Sequence, residues 1–257
     1  MTQLQSETEV ALDVARAAGR VALDYFASDI ADEEKPDLSP VTVADRECEA
    51  LITSRLAAAF PGDGIVGEEG ARLPSRSGRR WIIDPIDGTR DFVRRAPFWA
   101  VQIALEQASR VVLGIIYVPT VDELVHAVAG AGCFLNGKHI RASATTRLDK
   151  AVLTVGSFKY VWGHLPAETV RYLTETCWTV RSYSGCYDVT MVARGKADIW
   201  LSGSGMEWDY APARVIAAEC GAAFFTMDGT DRIDRNNCVL CAPGLEAELR
   251  RVLGVPS

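Results

Sequence analysis

Trp81-Ile82-Ile83-Asp84-Pro85-Ile86-Asp87-Gly88-Thr89-Arg90-Asp91-Phe92 is an apolar run that ends in two carboxylates three positions apart. Trp81 to Ile83 predicts a short buried strand. Pro85 fixes its own φ and drives Asp84 toward extended backbone. Gly88 permits a sharp turn, after which backbone N–H groups can point at a ligand. Two acids crowded at a strand end repel each other unless a cation lies between them, and such oxygen ligands suit Mg²⁺. Taken alone, DxxDG reads equally well as a solvated Asp-Gly turn.

Other acids narrow the choice. Gly67-Glu68-Glu69-Gly70 follows the short apolar Ile65-Val66, Trp208-Asp209 opens a helix-like run, and Asp45 stands in Thr42-Val43-Ala44-Asp45. With these in order, the chain resembles the inositol monophosphatase family of Mg²⁺-dependent phosphatases, whose signatures are a GEE, a DPIDGT followed by Phe, and a late WD. The resemblance runs from the first long helix to the C-terminal strand and helix. It implies a layered α-β-α-β-α sandwich of the inositol monophosphatase and fructose-1,6-bisphosphatase type, with metals held between two halves.

Composition fits that reading. The 257 residues are 48% hydrophobic and 24% charged, as in an ordinary globular protein with ample core. A net charge of −7 argues against nucleic acid or an anionic membrane as partner, and leaves metal ions to supply positive field for a phosphate. No run approaches the ~18 apolar residues of a membrane span, and Met1 to Glu7 does not resemble a signal peptide. Seven scattered cysteines, an odd number, predict buried reduced thiols and a cytoplasmic setting; Cys238-Val-Leu-Cys241 has zinc-like spacing but no second pair. None of the three histidines (126, 139, 164) adjoins an acid motif, so histidine-activated nucleophilic catalysis is not expected.

The pattern along the chain is α+β, then α/β. Ser6-x-x-Glu9 has capping-box spacing, and Val10, Val14, Ala17, Val21 and Tyr25 predict a helix ending near Ala27. Ala31 to Pro40 reads as a surface loop. A second helix begins near Thr42, with Asp45 in its first turn, where an acid also complements the helix dipole. Leu73 to Arg80 reads as a mobile loop returning Glu68 toward Asp84. Strands at 100–106, 111–118 and 124–129, without helices between them, predict an antiparallel sheet, and Asn136-Gly137 a tight hairpin. From about Ser143 onward helices and strands alternate, with helices near 167–177, 188–194, 210–220 and 245–253. The expected division is an N-terminal subdomain 1–145 carrying metal and phosphate sites, and a C-terminal subdomain 146–257 carrying Asp209 and the specificity elements.

The resemblance also implies roles. Hydrolysis of a phosphate monoester is extremely slow unaided, and two metals ~3.5–4 Å apart neutralise the ester, activate water and stabilise the leaving alkoxide. Asp84 would bridge them, with Glu68 and the Ile86 carbonyl at one metal and Asp87 and Asp209 at another. Glu69 would support a water or a third, weaker metal. Glu68 and Asp84 are 16 positions apart, a shorter loop than in the animal enzymes, so two or three Mg²⁺ are implied, with Mn²⁺ as substitute. Thr89, hydrogen-bonded to Asp45, would take a proton from the attacking water, and the N–H groups of Gly88 and Thr89 would hold phosphate oxygens. Thr89 and Asp209 also read as plain N-caps.

On the substrate side stand Asp87, Ser202 and Glu207. Ser202 occupies the place of the glutamate that contacts inositol hydroxyls in inositol enzymes. Trp178 to Tyr183 and Trp208-Asp209-Tyr210-Ala211-Pro212 look similar to bacterial histidinol-phosphate phosphatases, while Met206-Glu207-Trp208-Asp209 also resembles nucleotide 3′-phosphatases. The implied partner is a small phosphorylated metabolite: histidinol phosphate or inositol monophosphate, alternatively adenosine 3′,5′-bisphosphate or fructose 1,6-bisphosphate. Family resemblance further suggests a lithium-sensitive homodimer. A non-enzymatic regulatory module fits less well, since the acids and the Asp45/Thr89 pair are all retained.

Overall fold

The computed structural model describes residues 4–28, 32–34 and 40–256. In chain order its elements are α1 (Gln5–Phe26), β1 (Asp32–Glu34), β2 (Pro40–Thr42), α2 (Val43–Ala59), β3 (Gly64–Gly67), β4 (Arg72–Leu73), β5 (Arg79–Asp87), α3 (Thr89–Val93), β6 (Ala100–Gln107), β7 (Arg110–Val118), β8 (Glu123–Val128), β9 (Gly132–Leu135) and β10 (Lys138–His139). The second half adds β11 (Val152–Val155), α4 (Phe158–His164), α5 (Ala167–Thr176), β12 (Thr179–Arg181), α6 (Gly185–Ala193), β13 (Ile199–Ser202), α7 (Glu207–Cys220), β14 (Ala223–Phe225), β15 (Cys238–Cys241) and α8 (Glu246–Leu253).

Two sheets and three helical layers alternate, as the resemblance implied. The first sheet has eight strands in the order β10-β9-β8-β7-β6-β5-β3-β4. One of its faces packs under α1 and α2, because Ala11, Val14, Ala15, Ala18 and Ala22 recur at helical spacing and Ala44, Cys48, Ile52 and Leu56 do the same on α2. The other face meets α6 and α7, which also cover the second, five-stranded sheet, order β12-β11-β13-β15-β14. This middle core joins residues from both sides of position 145, Ile116 and Val125 among them with Trp200 and Leu240. The far face of the second sheet carries α4, α5 and α8 through Val161, Leu173 and Leu249.

Several expectations change. The first helix starts at Gln5 with Leu4 as an uncapped N-cap, so Ser6 lies inside the helix and caps nothing; Glu9 instead accepts the Gln5 side-chain amide at 3.0 Å. Part of the predicted 31–40 loop lies outside the described residues, and its flanks, β1 and β2, pair antiparallel. The 73–80 segment is not loose: the N–H groups of Arg76 and Ser77 both donate to the Gly62 carbonyl, and Ser77 Oγ donates to Asp63 at 2.7 Å. Glu68 reaches Asp84 because β3 runs parallel to β5, and the Glu68 N–H donates to the Ile83 carbonyl at 3.1 Å. The Asn136-Gly137 hairpin is present, both residues with positive φ, as a type I′ turn requires.

Candidate active site

The site is built on an irregularity in β5. In a regular strand Asp84 and Asp87, three positions apart, would point to opposite faces. Against β6 the register runs Asp84↔Gln102 and then Asp87↔Ala100, so β5 carries one extra residue between the two acids. This bulge at Pro85-Ile86 brings both carboxylates to one side. Asp84 is buried and accepts the Ile86 N–H at 3.1 Å. Gly88 then turns with φ of +89°; a Cβ there would crowd the Phe98 carbonyl and Ser184 Oγ at 3.1 Å.

The third acid comes from the second half. Met206 is the N-cap of α7, and Asp209 in its first turn accepts the Met206 N–H. Its carboxylate is therefore fixed by the helix start, three positions past the N-cap. Oxygen atoms of Asp84, Asp87 and Asp209 lie within 4.8 Å of one another. Helix α6 also contributes: the Cys186 N–H donates to Asp87 Oδ2 at 3.0 Å. Starting at Gly185, three residues before the predicted 188, is what gives α6 this reach.

Electrostatics follow from the crowding. Burial, then the charges of Glu68, Asp87 and Asp209, push the Asp84 carboxyl well above its usual range. Burial and nearby acids likewise raise Asp209, and Asp87 is pushed up to about 6, against the hydrogen bonding from Cys186 that lowers it. Such a cluster is unfavourable without a compensating cation.

A cleft of about 910 Å³ opens over the acids. Glu68, Asp84, Ile86, Asp87, Gly88, Thr89, Ser202 and Asp209 all line it. Asp45 lies behind Thr89, fully buried in the first turn of α2. Its Oδ2 accepts the Thr42 N–H at 2.8 Å and the Thr42 hydroxyl at 2.6 Å, leaving Oδ1 3.4 Å from the Thr89 hydroxyl. Helix capping and the link to Thr89 therefore use different oxygens of one carboxylate. The Thr89 hydroxyl also lies 3.1 Å from the Ile86 carbonyl.

Two expected residues lie elsewhere. Glu69 faces a separate groove of about 390 Å³ beside Arg46, Thr53 and Ser54, since the turn after Glu68 points successive side chains apart. Glu207 is absent from the cleft wall and pairs with Arg80 at 2.8 Å, because it precedes Asp209 by two positions on a helix and so faces away. Ser202 is buried, its hydroxyl 2.9 Å from Tyr210 Oη and 3.1 Å from the Ser204 carbonyl.

Part of the outer wall was not read from sequence: Tyr160 and His164 on α4 and Asn236 join Tyr183, Arg90 and Asp91 in the lining. A histidine thus faces the cleft although none adjoins an acid motif in the chain. The periodicity of α4 is too short to register, with Gly163 inside its seven residues.

Comparison with known proteins agrees with this geometry. A model of the inositol monophosphatase family matches residues 3–253. A histidinol-phosphatase from Chlorobaculum parvum is 36% identical over 241 residues, spanning 91% of this chain and 93% of that one. An inositol-1-monophosphatase from Mesorhizobium japonicum is 35% identical over 205 residues, 77% of each chain. The crystal structure of extragenic suppressor protein suhB from Bartonella henselae superposes with a TM-score of 0.89 at 29% identity, covering 97% of this chain and 98% of that chain. The chain belongs to the inositol monophosphatase family. It is accordingly a phosphoric monoester hydrolase.

Proposed function

We propose that this enzyme hydrolyses histidinol phosphate in a Mg²⁺-dependent reaction. The observation that carries the chemistry is the convergence of Asp84, Asp87 and Asp209 within 4.8 Å in one cleft with Thr89. An all-oxygen set of hard carboxylates fits Mg²⁺ or Mn²⁺ rather than a thiophilic ion. Glu68, Asp84, the Ile86 carbonyl, Asp87 and Asp209 would hold the metal, with Asp84 central as the most buried of the four acids. Bound there, the metal neutralises the ester and makes water a better nucleophile.

The chain's own residues do the rest. The Thr89 hydroxyl takes a proton from the attacking water as it hands its own to Asp45 Oδ1. The water oxygen bonds to phosphorus, the bond to the substrate alcohol oxygen breaks, and that oxygen takes a proton from a solvent water as it leaves. Asp45 keeps one orientation throughout because Thr42 fixes its other oxygen. Gly88 and Thr89 border the place of the phosphate.

Substrate choice rests on the histidinol-phosphatase relative and on a wall of Tyr160, His164 and Tyr183, whose rings suit an imidazole better than a polyol. Phosphate release from histidinol phosphate, inositol 1-phosphate, fructose 1,6-bisphosphate and adenosine 3′,5′-bisphosphate, with Mg²⁺ and with chelator, tests both parts. A higher kcat/KM for any other ester overturns the substrate; full turnover in chelator overturns the metal. All seven cysteines are buried and free, which supports a reducing, cytoplasmic setting. The family resemblance supports lithium sensitivity and a homodimer, open to inhibition assay and a solution mass.

A further inference from the structure

Glu49 is a buried acid outside the catalytic set, 5% exposed on α2. It follows Asp45 by one helical turn, so the two carboxylates share a face. One Glu49 oxygen accepts the Glu69 N–H at 2.8 Å and the other accepts the Ala71 N–H at 2.7 Å. Those donors flank the tip of the β3–β4 hairpin, whose ends are closed by the Gly67 N–H on the Ala71 carbonyl at 2.9 Å. The carboxylate plugs this turn from below. A Cβ on Gly67 would run into the Glu49 carboxylate, so the first glycine of Gly67-Glu68-Glu69-Gly70 leaves room for it. Gly70, at φ of +110°, lets the chain close the turn.

We propose that Glu49 is a positioning residue for the metal ligand Glu68. Glu68 sits between Gly67, packed against the Glu49 carboxylate, and Glu69, whose N–H is bonded to it. On its other side the Glu68 N–H is tied to Ile83 of β5. The Glu68 backbone is thus clamped between α2 and the strand that carries Asp84. Helix α2 sets two parts of the site at once: Asp45 faces Thr89, and Glu49 fixes the Glu68 turn. The charge matters, because a glutamine has a single acceptor oxygen. In Glu49→Gln one of the two backbone N–H groups would face an amide NH₂, donor against donor. The loop would keep its sequence and lose its fixed geometry. This inference rests on the reading of Glu68 as a metal ligand.

The test is direct Mn²⁺ binding by calorimetry to wild type, Glu49→Gln and Glu68→Gln, paired with kcat at saturating metal. Partners behind metal ligands typically change affinity about 10–100-fold. Glu49→Gln is expected to weaken Mn²⁺ binding at least ~10-fold, with kcat at saturating Mn²⁺ within about threefold of wild type. If Glu68→Gln binds weakly while Glu49→Gln binds like wild type, Glu49 is merely structural and the proposal fails. If neither weakens, Glu68 is not a ligand and the earlier reading fails with it. Should Glu49→Gln not fold, amide exchange on metal-free wild type decides. The Glu69 and Ala71 N–H groups are expected to be protected before any metal is added. Exchange at open-loop rates, slowed only by metal, would overturn the proposal.

Discussion

Glu207 Oε2 lies 2.8 Å from an Arg80 guanidinium nitrogen, and Arg80 Nε is 2.9 Å from Glu106. Arg80 therefore joins the start of α7 to β5 and β6 on the side away from the cleft. A glutamate near the WD motif invites assignment to substrate, but its charge is already matched. Glu207→Gln should leave kcat/KM for histidinol phosphate within about twofold, while costing ~0.2–1 kcal/mol of stability, as expected for a partly exposed pair. Steady-state kinetics and a melting curve measure both. A loss of tenfold or more in kcat/KM would mean the side chain turns into the cleft.

The acid cluster makes opposite predictions for activity and for metal-free stability. Asp84→Asn and Asp209→Asn should each lower kcat by orders of magnitude, Asp84→Asn the more, since it stands among all the other acids. In chelator the same changes should raise Tm, because they remove a buried carboxylate that its neighbours repel. Near-normal kcat for Asp84→Asn, or a lower metal-free Tm for both variants, would contradict the assignment.

Asp188, outside the proposed ligand set, supplies a pH test. It is fully buried on α6, and one of its oxygens accepts the Tyr183 N–H at 3.4 Å. Burial pushes its carboxyl up to about 8. A folded pKa above the unfolded value of ~3.9 means that the folded state holds the proton more tightly. The group's stability is thus fully present below pH ~4 and lost as pH rises through about 8. Asp188→Asn cannot ionise, so its gain over wild type should be absent near pH 4 and on the order of 2–4 kcal/mol at pH 7. Urea unfolding at the two pH values measures it; an equal effect at both would show that Asp188 does not titrate in this range.

Much of this site was legible because its signals are local. Strand, glycine turn and helix start all lie within Trp81 to Phe92, and Asp209 opens a helix that its neighbours predict. What the sequence hid was direction and distance. Nothing local says that Glu207 points to Arg80, 127 positions earlier, or that Glu69 faces away from Glu68. The cleft's outer wall was hidden for the same reason: Tyr160, His164 and Asn236 meet only through packing of the second sheet against its helices. Glu49 carries no local signal, since its bonds to Glu69 and Ala71 span 20 and 22 positions.

Variants of Thr89 should separate proton handling from metal binding. Its hydroxyl is 3.4 Å from Asp45 Oδ1, and Asp45 has its other oxygen occupied by Thr42. If this hydroxyl relays the proton of the attacking water, Thr89→Val, which is nearly isosteric, should reduce kcat by roughly 10²–10⁴-fold. Thr89→Ser keeps the hydroxyl and should retain most of the rate, with some loss because the freer side chain spends less time aimed at Asp45. Neither change touches a carboxylate, so Mn²⁺ affinity by calorimetry should stay within about threefold of wild type. Asp45→Asn should resemble Thr89→Val in kcat, and combining the two should cost little more than either alone, since both break one relay. Additive losses in the double variant would show that Thr89 and Asp45 act separately, and a Thr89→Val enzyme with full kcat would remove the hydroxyl from the mechanism.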